Sequence, residues 1–164
     1  MIESQLQLLH VVHDADLKGK RVITTVAIRK GELVAQIIGH REVRTPSRFT
    51  VQASVDRHID GLAQLTFMNH SCAPNVFLNT SDLTVTALRD LVAGEELSFF
   101  YPSTEWRMAE PFACLCGAPD CVSYIAGAEV MPEHVLARYD INEHIRELRR
   151  QQHAAAVVGA AEQV

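Results

Sequence analysis

The four cysteines are the residues best suited to bind a metal ion. Three of them, Cys114, Cys116 and Cys121, form the pattern C-x-C-x4-C, and the fourth is Cys72. In a reducing compartment this cluster favours zinc, which needs four soft donors in a tetrahedron. Two disulfides would fit a secreted chain, although nothing in the sequence indicates secretion, and ordinary buried thiols are a further interpretation. The pattern alone supplies three ligands and leaves the fourth open.

A second stretch with chemical potential is N-H-S-C-A-P-N at residues 69–75. His70 and Cys72 could form a nucleophile–base pair, but residues two apart on an extended segment lack a third group to orient them. A buried polar turn explains the same residues, because buried His and Asn side chains are usually just hydrogen-bonded. The sequence contains no glycine-rich phosphate loop, no H-E-x-x-H motif and no nucleophile elbow.

The composition limits the class of protein that must position these residues. The chain has 164 residues, of which 48% are hydrophobic and 21% charged, and this predicts one domain with a substantial core rather than a disordered chain. No stretch approaches the roughly 18 apolar residues of a membrane span, and no basic region precedes an apolar run at the N-terminus, so we expect no signal peptide. The net charge of -5 argues against non-specific nucleic-acid binding and permits a basic partner.

Short β segments separated by turns are predicted between residues 20 and 97, with a hairpin turn at residues 79–82. The predicted strands are residues 21–28, 33–38, 49–53, 76–78, 83–88 and 96–101. Apolar residues then recur at spacings of three to six from Pro132 to Arg150, which predicts a helix with its arginines near the end. Residues 154–164 are predicted to be a fraying tail. The pattern therefore favours a β-rich α+β fold rather than alternating βαβ units.

Further motifs stand in order around residues 69–75. They are K-G-K-R-V at 18–22, K-G-E-L at 30–33, G-E-E-L-S-F-F-Y at 94–101 and C-x-C-G-x3-C at 114–121. Together they resemble the opening strand, the N-H-S-C-x-P-N and G-E-E-L-[ST]-[FY]-x-Y signatures and the post-SET cysteines of SET-domain protein-lysine methyltransferases. The resemblance covers roughly residues 17–127.

The resemblance implies a pseudoknotted SET fold of short strands with a zinc-stapled post-SET segment and a C-terminal helix. The expected division is a SET domain at 1–106, the post-SET segment at 107–131, and the helix and tail at 132–164. It also implies that the chain transfers a methyl group from S-adenosylmethionine to a lysine amine of a protein substrate.

Site residues follow from the same resemblance, position by position. Asn69 and His70 would hold the cofactor, Phe112 would pack on its adenine, and Tyr101 would be catalytic while bordering the cofactor. The backbone around the cofactor's methionine end would be that of Lys18, Gly19, Lys20 and Arg21. One structural zinc ion would be held by Cys72, Cys114, Cys116 and Cys121. Phe99, on the same strand face as Tyr101, would set how many methyl groups are added.

Three positions depart from the family pattern. Arg21 replaces a frequent second glycine of the cofactor loop, Ile37 replaces a frequent pocket tyrosine, and Phe100 stands where the family often has Asp. The last change predicts a less polar lysine channel, which would mean either a different acceptor or lost activity. A catalytically silent SET-like binding or scaffold protein, and an enzyme for a non-histone or small-molecule amine, are the alternative functions.

The expected partner is a protein that presents a lysine, for which the negative net charge permits a basic tail. We expect no direct nucleic-acid partner and no membrane. The expected location is intracellular, either cytoplasmic or nuclear, and the C-terminal helix allows either a monomer or a homodimer.

Overall fold

The computed structural model describes residues 6–14 and 19–161 of the chain. These residues contain twelve short strands and two α-helices. The strands are β1 Leu9–Asp14, β2 Gly19–Thr24, β3 Leu33–Gln36, β4 Arg41–Val43, β5 Val51–Gln52, β6 His58–Asp60, β7 Asn69–His70, β8 Val76–Asn79, β9 Thr84–Ala87, β10 Ser98–Phe99, β11 Phe112–Ala113 and β12 Tyr124–Ile125. The helices are α1 Glu133–Leu136 and α2 Glu143–Ala161, and 3-10 turns span Ala63–Phe67, Tyr101–Ser103 and Ala128–Val130.

The strands form small sheets rather than one large one. Two three-stranded sheets have the orders β3-β9-β8 and β4-β6-β5, and two antiparallel pairs join β1 with β2 and β11 with β12. Strand β10 runs parallel to β7, so a segment near residue 98 returns beside a segment near residue 69. The predicted hairpin is confirmed, because the Asn79 side chain accepts the backbone N–H groups of Ser81 and Asp82 between β8 and β9.

Two hydrophobic cores stabilise the fold. The strand core is mostly aliphatic and includes Val22, Val34, Ile59, Leu78, Val85, Leu97 and Phe99. The cysteine core comprises Cys72, Phe100, Cys114, Ile125, Ala128, Met131, Val135, Leu136 and Ile145. Tyr101 packs against both cores, so the C-terminal end of the last predicted strand lies where they meet.

The predicted strands are found in the correct places, and all except β8 are shorter than predicted. The segment predicted at 96–101 keeps only Ser98–Phe99 as strand and then turns into the 3-10 helix at Tyr101. Strands β1, β4, β6, β7, β11 and β12 were not predicted. Five of these six contain only two or three residues, which is too short for a period-two pattern to be visible in the sequence.

The C-terminal helix prediction is wrong in its bounds. Two helices separated by residues 137–142 replace the single helix, because Asn142 donates its side-chain amide to the carbonyls of Leu78 and Ser103 and accepts the Thr80 N–H. These tertiary hydrogen bonds hold the chain out of helical geometry just before α2. The helix then continues to Ala161, so residues 154–161 are helical rather than a tail, and Arg149 lies in its first half and pairs with Glu133 of α1.

Within the described ranges, no helix is both long enough and apolar enough to cross a membrane.

Candidate active site and cysteine cluster

The parallel pairing of β7 with β10 brings the two main motifs together. Ser98 lies beside Asn69 and Phe99 beside His70. Asn75 strengthens this crossing, since its buried side chain accepts the Ser98 N–H at 2.8 Å and donates to the Glu96 carbonyl at 2.7 Å. A motif residue with no predicted role therefore fixes the geometry of the crossing.

Tyr101 occupies the junction of the two motifs. Its hydroxyl donates to the Met68 carbonyl at 2.8 Å, and its backbone N–H donates to His70 Nδ1 at 3.2 Å. The Phe99 ring lies 4.8 Å from the Tyr101 ring, which confirms that the two share one face. Burial raises the pKa of Tyr101 to about 12, so the hydroxyl stays protonated at neutral pH and can orient a partner by hydrogen bonding.

A cavity of about 430 Å³ opens beside Tyr101. Its wall contains five of the predicted site residues, which are Asn69, His70, Phe99, Tyr101 and Phe112. Residues that were not predicted line it as well, among them Arg48, Phe49, Met68, Glu105 and Met108. The structure thus gathers the predicted catalytic and adenine-packing residues around one space.

The predicted cofactor loop lies next to this cavity rather than in its wall. Gly19, Lys20 and Arg21 belong to β2, and Asn69 reaches them by donating its side-chain amide to the Lys20 carbonyl at 3.1 Å. The same amide donates to Glu96 at 2.9 Å. Lys18 lies outside the described residues.

Both ring nitrogens of His70 are engaged within the protein. Because Nδ1 accepts the Tyr101 N–H, the proton sits on Nε2, which lies 3.3 Å from the Cys72 sulfur. Burial lowers the pKa of His70 to about 4, so the ring is neutral at physiological pH. His70 therefore links the tyrosine to the cysteine cluster and is unsuited to act as a general base. The Phe112 ring packs edge-on against it at 5.8 Å.

The four cysteines converge as a metal site would require. All are free thiols, and their sulfur atoms lie within 4.8 Å of one another, with 3.9 Å between Cys72 and Cys114. A tetrahedron with zinc–sulfur bonds of about 2.3 Å has edges of about 3.8 Å, so the cluster fits one zinc ion. Burial raises the pKa of Cys114 to about 11, so ionisation of this thiol depends on the charge of a bound ion.

The comparisons with known proteins agree with this geometry. A family model described as SET domain matches residues 19–102, just over half of the chain. The chain belongs to the SET-domain family. The β-rich SET fold of short strands and its cysteine cluster, expected from the motifs, are thereby confirmed.

Two relatives differ in the share of their own length that this chain covers. Methyltransferase flvH of Aspergillus flavus is 35% identical over 147 residues, which is 88% of this chain and 83% of that protein. A histone-lysine N-methyltransferase of Schizosaccharomyces pombe, H3 lysine-4 specific, is 40% identical over 65 residues, or 36% of this chain and 7% of that protein. The chain thus spans most of the first relative and a small part of the second.

Solved structures show the same SET fold. KRYPTONITE in complex with mCHH DNA, H3(1-15) peptide and SAH is 23% identical with a TM-score of 0.53, covering 71% of this chain and 29% of that chain. KRYPTONITE in complex with mCHG DNA and SAH is 25% identical with a TM-score of 0.56, covering 71% and 28%.

Two of the departures from the SET pattern lie away from the cavity. Phe100 is 2% exposed and stacks on Tyr139 with 3.7 Å between ring centroids, because adjacent strand residues point to opposite sides. It belongs to the cysteine core, so its apolar ring does not make the channel less polar, contrary to the sequence prediction. Ile37 is buried in the strand core and is likewise absent from the cavity wall.

Glu105 is the functional candidate that the sequence analysis missed. It is a buried carboxylate in the cavity wall, four residues after Tyr101. The only sequence signal was an acidic residue four positions after the G-E-E-L-S-F-F-Y motif, and such a residue is usually exposed.

Proposed function

We propose that this SET-domain protein transfers methyl groups from S-adenosylmethionine to the side-chain amine of a lysine in a protein substrate. The observation that supports it most is the position of the Tyr101 hydroxyl, in the wall of a cavity shared with Asn69, His70 and Phe112. The histone-lysine relatives support lysine as the acceptor, while flvH is named only as a methyltransferase.

The residues around the cavity suit the cofactor. Phe112 is half-buried and offers an aromatic surface, and its strand β11 pairs with β12 next to the cysteine cluster. Asn69 supplies polar groups beside the β2 backbone. When bound, S-adenosylmethionine supplies an electrophilic methyl group on a positive sulfur. We assign Asn69, His70, Phe112 and the backbone of residues 18–21 to holding it.

A lysine acceptor sets a simple requirement for the site. Its reference pKa of about 10.4 lies roughly 3.4 units above neutrality. Deprotonation to the neutral amine that can attack therefore costs about 4.6 kcal/mol at neutral pH. A nearby positive charge lowers this pKa by like-charge repulsion. The remaining work is in-line positioning, which the Tyr101 hydroxyl and the Met68 carbonyl beside it can perform.

We also propose one zinc ion in the four-cysteine cluster and retain the division at 1–106, 107–131 and 132–164. An intracellular location would keep the thiols reduced, as zinc binding needs. The ion would hold residues 114–121 against Cys72, next to the segment that carries Phe112 to the cavity.

The decisive variant is Tyr101→Phe. It keeps the ring and deletes the hydroxyl, so we expect intact folding and cofactor binding with methyl transfer reduced about 10²–10³-fold. Transfer would be measured by mass spectrometry of lysine-containing proteins incubated with labelled cofactor, and cofactor binding by calorimetry.

Tyr139→Phe is the matched control. Its hydroxyl also donates to a backbone carbonyl at 2.8 Å, that of Cys72, but it does not line the cavity. Equal losses in the two variants would show that Tyr101 is only structural. Absence of any cofactor binding by the parent chain would instead favour a silent SET-like scaffold.

A further inference from the structure

Glu105 presents a buried carboxylate to the cavity beside Tyr101. The residue is 7% exposed and lies just beyond the 3-10 helix at Tyr101–Ser103. Its oxygen Oε1 accepts the Gln52 N–H at 2.8 Å and the Thr104 hydroxyl at 3.2 Å. The second oxygen, Oε2, accepts no hydrogen bond from any residue in the described ranges.

No described cation neutralises this carboxylate. Arg48 lines the same cavity, but its guanidinium lies over the Phe49 ring at 5.2 Å and forms no ion pair with Glu105. A buried charge without a partner is costly. Burial accordingly raises the pKa of Glu105 to about 7. A ligand that brings its own positive charge would remove this cost.

The side chains that line the cavity indicate which kind of cation would bind there. Phe49, Met68, Phe99 and Tyr101 surround the site with apolar and aromatic surface, which suits an alkyl chain ending in an ammonium group. A doubly charged group would leave one charge unpaired among these side chains.

We propose that Glu105 binds the acceptor amine in its positively charged form and thereby selects alkylammonium acceptors over neutral ones. The bound ammonium must then release its proton to water before the neutral amine attacks. This inference rests on the proposed function for its link to methyl transfer. Binding itself is a property of the cavity and can be tested without cofactor.

Burial moves the pKa values of Tyr101 and of the neighbouring histidines away from 7, so a change in binding near pH 7 can be assigned to Glu105. Burial lowers the pKa of His70 to about 4 and raises that of Tyr101 to about 12. Behind the cavity wall, His58 is paired with Gln52 and His144 bonds the Thr104 carbonyl, and burial lowers the pKa of both. Arg48 and the exposed Glu110 also line the cavity.

The first test uses the full parent chain without cofactor and n-butylammonium as the probe, followed by ligand-detected NMR. Because the carboxylate binds the cation and the carboxylic acid does not, the affinity should rise as the pH increases through about 7. The neutral probe n-butanol should show no such rise. A pH-independent affinity for n-butylammonium between pH 5.5 and 8.5 would overturn the proposal.

The second test is Glu105→Gln, which keeps an oxygen that can accept from Gln52 and Thr104 while removing the charge. We expect affinity for n-butylammonium to fall about 10- to 100-fold, with the pH dependence lost. With a lysine-containing acceptor, KM should increase more than kcat decreases. Glu147→Gln removes the same charge from helix α2, outside the cavity, and is the control. Unchanged binding by Glu105→Gln would refute the assignment.

The two proposals fail separately. If the chain binds n-butylammonium with the expected pH dependence but transfers no methyl group, the proposed function is wrong and the cation site stands. If methyl transfer occurs and Glu105→Gln leaves the KM unchanged, only the role of Glu105 is wrong.

Discussion

The strands around Leu78 and Val85 pair over four residues and bury aliphatic side chains, whereas the segment around the cysteines pairs only β11 with β12 over two residues. The cysteine core instead depends on the Phe100–Tyr139 stack, the sulfur cluster and short helices. Both regions line the cavity, through Phe99 and Met68 on one side and Met108 and Phe112 on the other. We therefore expect the cysteine region to depend more strongly than the strand region on a bound metal ion.

Metal removal is expected to have the largest effect, and it should unfold the cysteine region while the strand region stays folded. A structural zinc site contributes about 10–16 kcal/mol of apparent binding free energy, and the cysteine region has little strand pairing to replace it. Native mass spectrometry should show one zinc per chain. After strong chelation, NMR should show loss of dispersed signals for Ile125 and Leu136 while Leu78 and Val85 keep theirs.

Zinc re-addition is the control and should restore the lost signals. A freshly purified chain with no metal, or with two disulfides, would contradict the zinc assignment. Simultaneous loss of both sets of signals would show that the two regions fold as one.

Two glycine substitutions compare the stability of the regions without changing the proposed metal ligands. Gly127 has φ +117°, and a Cβ there would lie 2.3 Å from the Trp106 carbonyl oxygen, so Gly127→Ala should destabilise the protein by at least about 3 kcal/mol. Gly94 in the strand region has φ +86° with open space around it, so Gly94→Ala should cost only about 1–2 kcal/mol. Urea unfolding would measure both. Equal costs would mean that the close approach at Gly127 relaxes freely.

The smallest expected effect is a change in the number of methyl groups added. It compares two adjacent phenylalanines that face different regions. Phe99 lines the cavity, so Phe99→Tyr would place a hydroxyl in the volume that a second methylation needs. The parent should give di- or trimethylated lysine, and the variant should shift toward monomethylated product in intact-mass spectra.

Phe100→Tyr is the matched control, because Phe100 stacks on Tyr139 in the cysteine core. It should leave the product distribution unchanged. A parent that stops at one methyl group, or the same distribution in both variants, would refute the role of Phe99.

Local patterns in the sequence predicted much of the strand region. Alternating β-branched residues and the turn at Asn79–Asp82 identified the β8–β9 hairpin, since both signals act within a few residues. The helix bounds were wrong because the hydrogen bonds of Asn142 to Leu78 and Ser103 join residues that are far apart in the chain. Two-residue strands such as β7 and β11 exist only through their partners and carry no periodic signal of their own.

The sequence by itself determined the family motifs and the four cysteines, because residue types and spacing suffice to recognise them. The tertiary structure alone decided which side chains share a space. It turned Phe100 toward Tyr139 and away from the cavity, and it enclosed Glu105 beside Tyr101 with one oxygen unpaired. Burial and partner geometry arise from contacts between distant segments, and these contacts convert an ordinary acidic residue into a candidate site for a cation.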